Sequence, residues 1–167
     1  MKQPSEFHLI EHGIPPVYGP GCRVLVLGSF PSVKSREAAF FYGHPQNRFW
    51  KMLGAVYGCA PPETVEQKKA FLLAHGIALW DVIARCRITG SSDASIRDAV
   101  PNDLSLVLNA CPIERILANG STAAALYERF CLPQTGIPAI RLPSTSPANA
   151  SFNLQRLVES WKPQLFI

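Results

Sequence analysis

The sequence predicts an α/β fold in which helices cover both faces of a parallel sheet. Short apolar runs rich in β-branched residues alternate along the chain with segments whose apolar residues recur at helical spacing. Parallel strands need a crossover between them, and each intervening segment is long enough to supply a helix for it. No repeat, low-complexity tract or linker interrupts this alternation, so we expect a single domain over residues 1–167.

The first strand is predicted at about residues 23–28, where four apolar residues lead to Gly28. A polar turn follows it, with the sequence Gly28-Ser29-Phe30-Pro31-Ser32. Ligands of open α/β sheets bind at the carboxyl ends of the strands, because the loops there combine exposed backbone amides with nearby helix N-termini. This turn is therefore the first candidate site.

The first helix is predicted at about residues 46–57, because apolar residues recur at i, i+3, i+4, i+7 and i+8 from Phe49. Pro45 suits its first turn and Gly58 its end. Asn47 and Arg48 are then expected in the first turn, near the positive end of the helix dipole.

The rest of the chain continues the alternation. A second helix is predicted to open at Pro61-Pro62, with Glu63 in its first turn, and to end before Gly76; a short strand at 77–80 follows and ends at Asp81. A polar connection around Thr89–Asp93 leads to a helix capped by Asn102. Two strand and helix pairs complete the chain, with strands at about 114–119 and 138–142 and inward helix residues Ala123, Leu126, Tyr127, Phe130, Leu154, Leu157, Val158 and Trp161.

Composition leaves several classes open and disfavours others. The 16 basic and 12 acidic residues give a net charge of +4, which permits an anionic partner without requiring one. The N-terminal segment has no apolar signal core, and no window approaches the roughly 20 apolar residues of a membrane span. We expect a soluble, cytoplasmic protein without a membrane partner. The five cysteines are odd in number and widely spaced, which predicts neither a disulfide framework nor a metal site.

Three segments together resemble the uracil-DNA glycosylase superfamily: Gly28 to Ser32, Tyr42 to Trp50 and Ser144 to Asn149. The resemblance is strongest to the hypoxanthine-DNA (DNA-deoxyinosine) glycosylase branch. The run His44-Pro45-Gln46-Asn47-Arg48-Phe49-Trp50 also resembles the mismatch-specific uracil glycosylases. The combination is specific, and it covers about residues 20–162.

This resemblance implies a fold and a reaction. The fold is a three-layer α/β/α sandwich around a four-stranded parallel sheet. The reaction is hydrolysis of the N-glycosidic bond of a deaminated base flipped out of DNA, which leaves an abasic site. It needs no metal and no cofactor, and we expect the enzyme to act on DNA as a monomer. A lyase step is not expected, because the resemblance offers no nucleophilic amine.

The catalytic residue implied by the resemblance is Asn47. Superfamily members commonly carry an Asp or Asn that handles the attacking water at the third position of the first motif, and Phe30 occupies that position here. Phe30 cannot bind water or act as a base, so the polar role has to come from elsewhere. The matching Asn of the hypoxanthine branch is associated with catalysis, and the amide of Asn47 can hold a water or a base edge. The alternative is a structural amide that ties the loop to the helix.

Base binding is expected from Gly28, Ser29, Phe30, Tyr42 and Asp81. Tyr42 lies at a spacing where relatives carry a ring that stacks on the base, although an aromatic core segment with Phe40 and Phe41 would explain it too. Asp81 ends a strand that in relatives ends in a uracil-reading Asn. An ionised Asp can accept from hypoxanthine N1–H but repels O6 unless it is protonated, so Asp suits a purine held through N1–H better than uracil. A surface contact with Arg85 or Arg87 is the alternative for Asp81.

DNA contacts are expected from two loops. Serine and threonine hydroxyls, backbone amides and helix starts all bind phosphate. Relatives often have a His where this chain has Ser144, which weakens any help to the leaving group from that loop. His44 has three alternative roles besides DNA contact: proton donor to the leaving base, cap, or structural histidine. The expected DNA-binding residues are Pro31, Ser32, His44, Arg48, Ser144, Thr145, Ser146 and Asn149.

Three other functions are compatible with the sequence. A uracil- or mismatch-specific glycosylase would share the motifs. A non-catalytic DNA-binding protein would bind damaged and undamaged DNA without turnover. A nucleotide- or flavin-binding module would share the fold class, but no GxGxxG and no phosphate loop follows any predicted strand.

Overall fold

The computed structural model describes residues 8–167 and contains two sheets with helices around them. The first seven residues, which belong to the N-terminal segment predicted to lack a signal core, lie outside this range. The strands are β1 (His8–Glu11), β2 (Val24–Gly28), β3 (Ile77–Asp81), β4 (Ile83–Ile88), β5 (Arg97–Pro101), β6 (Arg115–Asn119) and β7 (Ala139–Leu142). The helices are α1 (Val33–Ala38), α2 (Phe49–Tyr57), α3 (Val65–Ala74), α4 (Ser105–Leu108), α5 (Ser121–Phe130), α6 (Leu132–Thr135) and α7 (Leu154–Leu165).

The larger sheet is parallel and has the strand order β3-β2-β6-β7. Strands β2 and β3 are buried along their whole length, as expected for strands covered on both faces. Helix α3 packs on β3, and α5 packs on β6 and β7. The predicted fold class, an α/β/α sandwich around a four-stranded parallel sheet, is confirmed, and all four predicted strands are present.

Strand register brings the polar strand ends to one edge. Gly28 pairs with Asp81 across β2 and β3, and Asn119 ends the neighbouring strand β6. Because the strands are parallel, their carboxyl ends and the loops that follow them meet at the same place. The candidate site is built at this edge.

Helix α2 begins later than predicted, at Phe49 rather than near residue 46. Asn47 and Arg48 therefore precede the helix instead of lying in its first turn. The reason is a local hydrogen bond in which Asn47 Oδ1 accepts from the Phe49 backbone N–H at 3.0 Å. A side-chain acceptor of this kind occupies one of the unpaired amides at the helix start and sets the boundary there.

Two other predicted helix starts are also wrong. Helix α3 begins at Val65 behind a capping box in which Thr64 and Gln67 bond each other's backbone amides. Asn102 is not a helix cap, because its side-chain amide donates to the Asp81 carbonyl at 2.9 Å. The short helix α4 follows Leu104 instead.

The smaller sheet was not predicted. It is antiparallel and has the order β1-β4-β5, and its strands β4 and β5 lie on either side of the segment interpreted as a polar connection. Register shifts between β4 and β5 break the simple alternation that would reveal a half-buried strand. Strand β1 lies more than 70 residues before its partner β4, so this sheet depends on pairing that is distant in sequence.

None of the helices in the described part of the chain is both long enough and apolar enough to cross a membrane. Helices α2 and α7 pack together, with the Phe49 and Trp161 rings at an edge-to-face centroid distance of 6.1 Å. This packing anchors the start of α2, and with it Asn47, next to the sheet edge.

Candidate active site

A cavity of about 320 Å³ opens at the carboxyl edge of the parallel sheet. This volume lies at the low end of the range for small-molecule pockets. All predicted site residues line it except Arg48 and Asn149: Gly28, Ser29, Phe30, Pro31, Ser32, Tyr42, His44, Asn47, Asp81, Ser144, Thr145 and Ser146. The structure thus brings together four stretches of the chain: the loop after β2, the segment before α2, the end of β3 and the loop after β7.

Asp81 forms part of the cavity floor and is 3% exposed. Burial, reinforced by the negative charge of nearby Asp93, raises the pKa of Asp81 to about 8. Its Oδ2 lies 3.9 Å from His12 Nε2, and burial lowers the pKa of His12. Both shifts favour the neutral forms, so the contact joins two neutral groups rather than an ion pair. Asp81 makes no contact with Arg85 or Arg87 of the kind considered from the sequence: Arg87 pairs with Asp98.

Gly28 and Tyr42 enclose the same floor. A Cβ at Gly28 would lie 2.5 Å from Asp81 Oδ1 and 3.0 Å from the Tyr42 hydroxyl, so only glycine fits there. Tyr42 packs its ring on Phe49 at a centroid distance of 4.3 Å. Burial and the neighbouring Asp81 raise the pKa of Tyr42, which keeps the phenol neutral. Among the described residues, Tyr42 Oη and Asp81 Oδ2 are buried without a hydrogen-bond partner.

Asn47 is held in one orientation by a chain of hydrogen bonds. Its Oδ1 accepts from the Phe49 N–H at 3.0 Å and from Thr145 Oγ1 at 2.9 Å. A backbone N–H can only donate, so the atom facing it must be the amide oxygen. The Nδ2 group is left as the part of Asn47 that is free to bind another molecule.

Asn119 extends this chain to the end of β6. Its Nδ2 donates to Thr145 Oγ1 and its Oδ1 accepts from the Thr145 N–H, both at 3.0 Å. Thr145 is fully buried, and its carbonyl accepts from the Arg48 N–H at 3.0 Å. Each polar group of Thr145 is therefore bonded within the protein, and the DNA contact expected of this residue stays a prediction.

Arg48 and Asn149 shape the loop after β7 and do not line the cavity. The Arg48 guanidinium donates to the carbonyls of Phe152, Ser146 and Asn149, the last two at 2.9 and 3.1 Å. The Asn149 amide donates to the Ser144 carbonyl at 3.0 Å. These bonds hold the loop in shape, and the DNA contacts expected of both residues stay predictions.

The opposite wall joins the first loop to the smaller sheet. Ser29 donates to Asp93 Oδ1 at 2.9 Å, and Ser91 Oγ accepts from the Val33 N–H at 2.9 Å. Ser32 caps α1 by accepting from the Ser35 N–H. At the rim, His44 Nδ1 accepts from the Gln46 N–H at 3.1 Å, which leaves its Nε2 free to donate.

Several cavity residues were not among the predicted site residues. Asn119 ends a predicted strand, so the rule that identified Gly28 and Asp81 would have found it. Asp93 lies in the polar connection, and only the fold brings it to Ser29. The other additions are Ser35, Phe41, Ser91, Pro147 and Ala148.

A groove of about 580 Å³ adjoins the cavity. Asp93, Asn119, Ser144, Ser146 and Ala148 line both spaces. The groove continues past the start of α5 to Ser121, Thr122 and Arg141. An enclosed cavity thus opens into a longer surface channel.

The family model of the uracil DNA glycosylase superfamily matches residues 15–164. The chain belongs to this superfamily. The match includes every predicted site residue and the strands and helices that position them.

Individual members of the superfamily agree with the assignment. A protein of Methanosarcina acetivorans named hypoxanthine DNA glycosylase is 34% identical over 149 residues, which cover 89% of this chain and 94% of the relative. A protein of the same name from Methanosarcina barkeri is 33% identical over 141 residues, 83% of this chain and 88% of the relative.

The fold of the glycosylase superfamily is matched as well. The solution NMR structure of a Methanosarcina acetivorans protein, solved as a candidate uracil DNA glycosylase, superposes with a TM-score of 0.79. It is 33% identical in sequence, and the match covers 95% of this chain and 97% of the other.

Proposed function

We propose that this DNA glycosylase excises hypoxanthine from deoxyinosine in DNA by hydrolysis and leaves an abasic site. The observation that carries the proposal is the cavity floor, where a buried neutral Asp81 and the unpaired Tyr42 hydroxyl face a space of small-molecule size. Buried polar atoms are nearly always hydrogen-bonded, so unpaired ones in a cavity are typical of a binding site. The names of the two curated relatives support hypoxanthine as the base.

Asp81 is the proposed base-reading residue. As a neutral acid it offers one donor, its O–H, and one acceptor, its C=O. Hypoxanthine presents the complementary pair at O6 and N1–H. The neutral form removes the repulsion of O6 that an ionised Asp would cause, and it imitates the amide that relatives are expected to carry at this position.

Neutral Asp81 also revises the argument against uracil. Uracil presents the same carbonyl and N–H pair, so a neutral acid does not distinguish the two bases by charge. The preference for hypoxanthine in this proposal rests on the relatives, and uracil is the second candidate substrate.

Tyr42 and the first loop are proposed to enclose the base. Phe49 supports the Tyr42 ring from behind, so its other face is suited to stack on a purine or a pyrimidine. Gly28, Ser29 and Phe30 line the same cavity. The close approach of Gly28 to Asp81 leaves room for the base edge where a side chain would block it.

Asn47 is the proposed catalytic residue and acts as a donor. Its oxygen is occupied by Phe49 and Thr145, so only the Nδ2 group can bind the base. Cleavage leaves negative charge on the departing base, and a fixed donor stabilises that charge more in the transition state than in the ground state. Removal of one such donor commonly reduces the rate by about 100- to 1000-fold.

The DNA backbone is proposed to pass along the cavity rim. The Ser144 and Ser146 hydroxyls accept from backbone amides of their own loop and keep their protons free to donate to phosphate. Pro31, Ser32 and His44 form the rim on the other side of the cavity. Arg48, Thr145 and Asn149 are assigned a supporting role, because their polar atoms hold the loop together.

The test is release of alkali-labile abasic sites from matched oligonucleotides that contain deoxyinosine, deoxyuridine or neither. It is run without added metal on the wild type and on Asn47→Ala and Asn47→Asp. We expect cleavage mainly at deoxyinosine, and a loss of at least about 100-fold in both variants because each removes the donor.

Each alternative has its own outcome in this test. Cleavage mainly at deoxyuridine would make the protein a uracil glycosylase. Tight binding of all three DNAs without cleavage would make it a DNA-binding protein. An active Asn47→Asp would contradict the donor role, because a carboxylate can accept from water but cannot donate.

A further inference from the structure

Hydrolysis needs a group that accepts a proton from the attacking water, and the first motif does not supply one. The Phe30 side chain has no polar atom, and the Asn47 oxygen already accepts two hydrogen bonds. The acceptor must therefore come from another part of the cavity.

Asp93 lies where that acceptor is needed. With the base of a flipped nucleotide in the cavity, the adjoining groove is the space for its sugar and phosphates, and the glycosidic bond would then cross the junction between the two. Of the titratable side chains that the structure describes, Asp93 is the one that lines both spaces. Asp81, by contrast, lines only the cavity, at its floor.

The carboxylate of Asp93 is held in place from one side. Ser29 donates to Oδ1 at 2.9 Å, and Oδ2 accepts no hydrogen bond from the described residues. The segment just before it is tied to α1, because Ser91 accepts from the Val33 N–H and Arg36 donates to the Gly90 carbonyl at 3.0 Å. One oxygen is thus anchored and the other is free to bind water.

We infer that Asp93 is the catalytic residue that binds the attacking water and takes its proton. The inference rests on the proposed glycosylase function and assigns the remaining step of the same reaction. The water oxygen bonds to C1′ of the sugar, the bond from C1′ to the base breaks, and its electron pair leaves with the base. The water proton passes to the Asp93 carboxylate, and Asn47 Nδ2–H stabilises the departing base.

The surroundings of Asp93 predict how the rate depends on pH. Asp93 is an exposed residue whose carboxyl end points to the cavity, and the reduced solvation there raises its pKa, while the Ser29 hydrogen bond opposes the rise. The titratable groups that act on it are Asp81 and Tyr42, both neutral near pH 7, while Arg141 lines the groove and Arg36 donates to the Gly90 carbonyl. A base works only when ionised, so the rate should fall with acid as Asp93 is protonated.

The test compares Asp93→Asn with the wild type in single-turnover excision of hypoxanthine at saturating enzyme. We expect a rate at least about 100-fold lower, because a positioned base commonly contributes 100- to 10,000-fold. The dissociation constant for the DNA should stay within about threefold, and the acid limb of the pH profile should disappear. Asp98→Asn is the matched control, since Asp98 is an exposed partner of Arg87 and lines neither space.

The outcomes separate this inference from the proposed function. A wild type that does not release hypoxanthine overturns the proposed function and the inference with it. An active wild type with Asp93→Asn within threefold of its rate overturns the role of Asp93 alone. A slow variant that keeps its acid limb, or that loses DNA affinity by as much as it loses rate, also overturns it, because a structural role would do the same.

Discussion

Asp81 illustrates how burial changes the chemistry of one side chain. On the surface this carboxyl would be ionised at neutral pH. Its place at the cavity floor raises its pKa to about 8 and makes it a neutral donor and acceptor. A single buried residue can therefore imitate an amide without being one.

This protonation state predicts an alkaline limit of activity. Hypoxanthine excision by the wild type should fall about tenfold per pH unit above about pH 8, because ionised Asp81 repels O6. Asp81→Asn should keep activity within about tenfold of the wild type, since it still supplies one donor and one acceptor, and it should lack the alkaline limb. The measurement is the single-turnover rate between pH 6 and 10.

Asp81→Ala is the comparison variant, with an expected loss of about 100-fold from two missing hydrogen bonds. Ionisation of the substrate is common to all three proteins, so only a difference between them identifies Asp81. A wild type and an Asp81→Asn variant with the same alkaline limb would contradict a neutral Asp81.

Elements meet at the site through Thr145, which links β6, the loop after β7 and the start of α2. Its hydroxyl accepts from Asn119 and donates to Asn47, so it fixes the amide of a residue 98 positions away in sequence. Thr145→Val keeps the shape and removes both bonds. We expect a rate loss of about 10- to 100-fold with little change in DNA affinity, because Asn47 can then rotate its amide.

Thr145→Ser is the rescue variant for this prediction, because it restores the hydroxyl without the methyl group. Its rate should lie within about threefold of the wild type. The readout is single-turnover excision together with thermal unfolding of both variants. Equal losses in Thr145→Val and Thr145→Ser would assign the effect to packing rather than to the hydroxyl.

The parallel sheet was predictable from sequence because the pattern of its strands is local. The smaller sheet was not predictable because its strands β1 and β4 pair over a long distance in sequence. Buried parallel strands such as β2 are continuous apolar runs whose pattern is local. Strand β4 pairs with β1 and shifts register against β5, so the pattern that would reveal it depends on residues distant in sequence. The same distinction applies to the site. Asn119 is the last residue of a strand that the local pattern predicts, whereas the position of Asp93 beside Ser29 depends on the tertiary fold.

For the molecule as a whole, the buried Asp81 carboxyl makes the free energy of unfolding depend on pH. Folding removes Asp81 from water, and its folded-state pKa of about 8 lies above the ordinary value of 3.8. A group with a raised folded-state pKa contributes stability that is fully present below the unfolded pKa and is lost as pH rises through the folded one. The protein should therefore lose stability from Asp81 between about pH 4 and pH 8.

Asp81→Asn isolates this contribution, because the amide stays neutral at every pH. The free energy of unfolding of the variant minus that of the wild type should increase by about 1 kcal/mol per pH unit between pH 5 and 7, and level off above about pH 8. Buried His12 opposes the trend in acid, but both proteins carry it, so it cancels in the difference. Urea unfolding at pH 5, 6, 7 and 8 gives the values, with Asp98→Asn as an exposed carboxylate control. Parallel curves for wild type and Asp81→Asn would mean that the buried Asp81 is ionised, and the base-reading role proposed for its neutral form would fail with it.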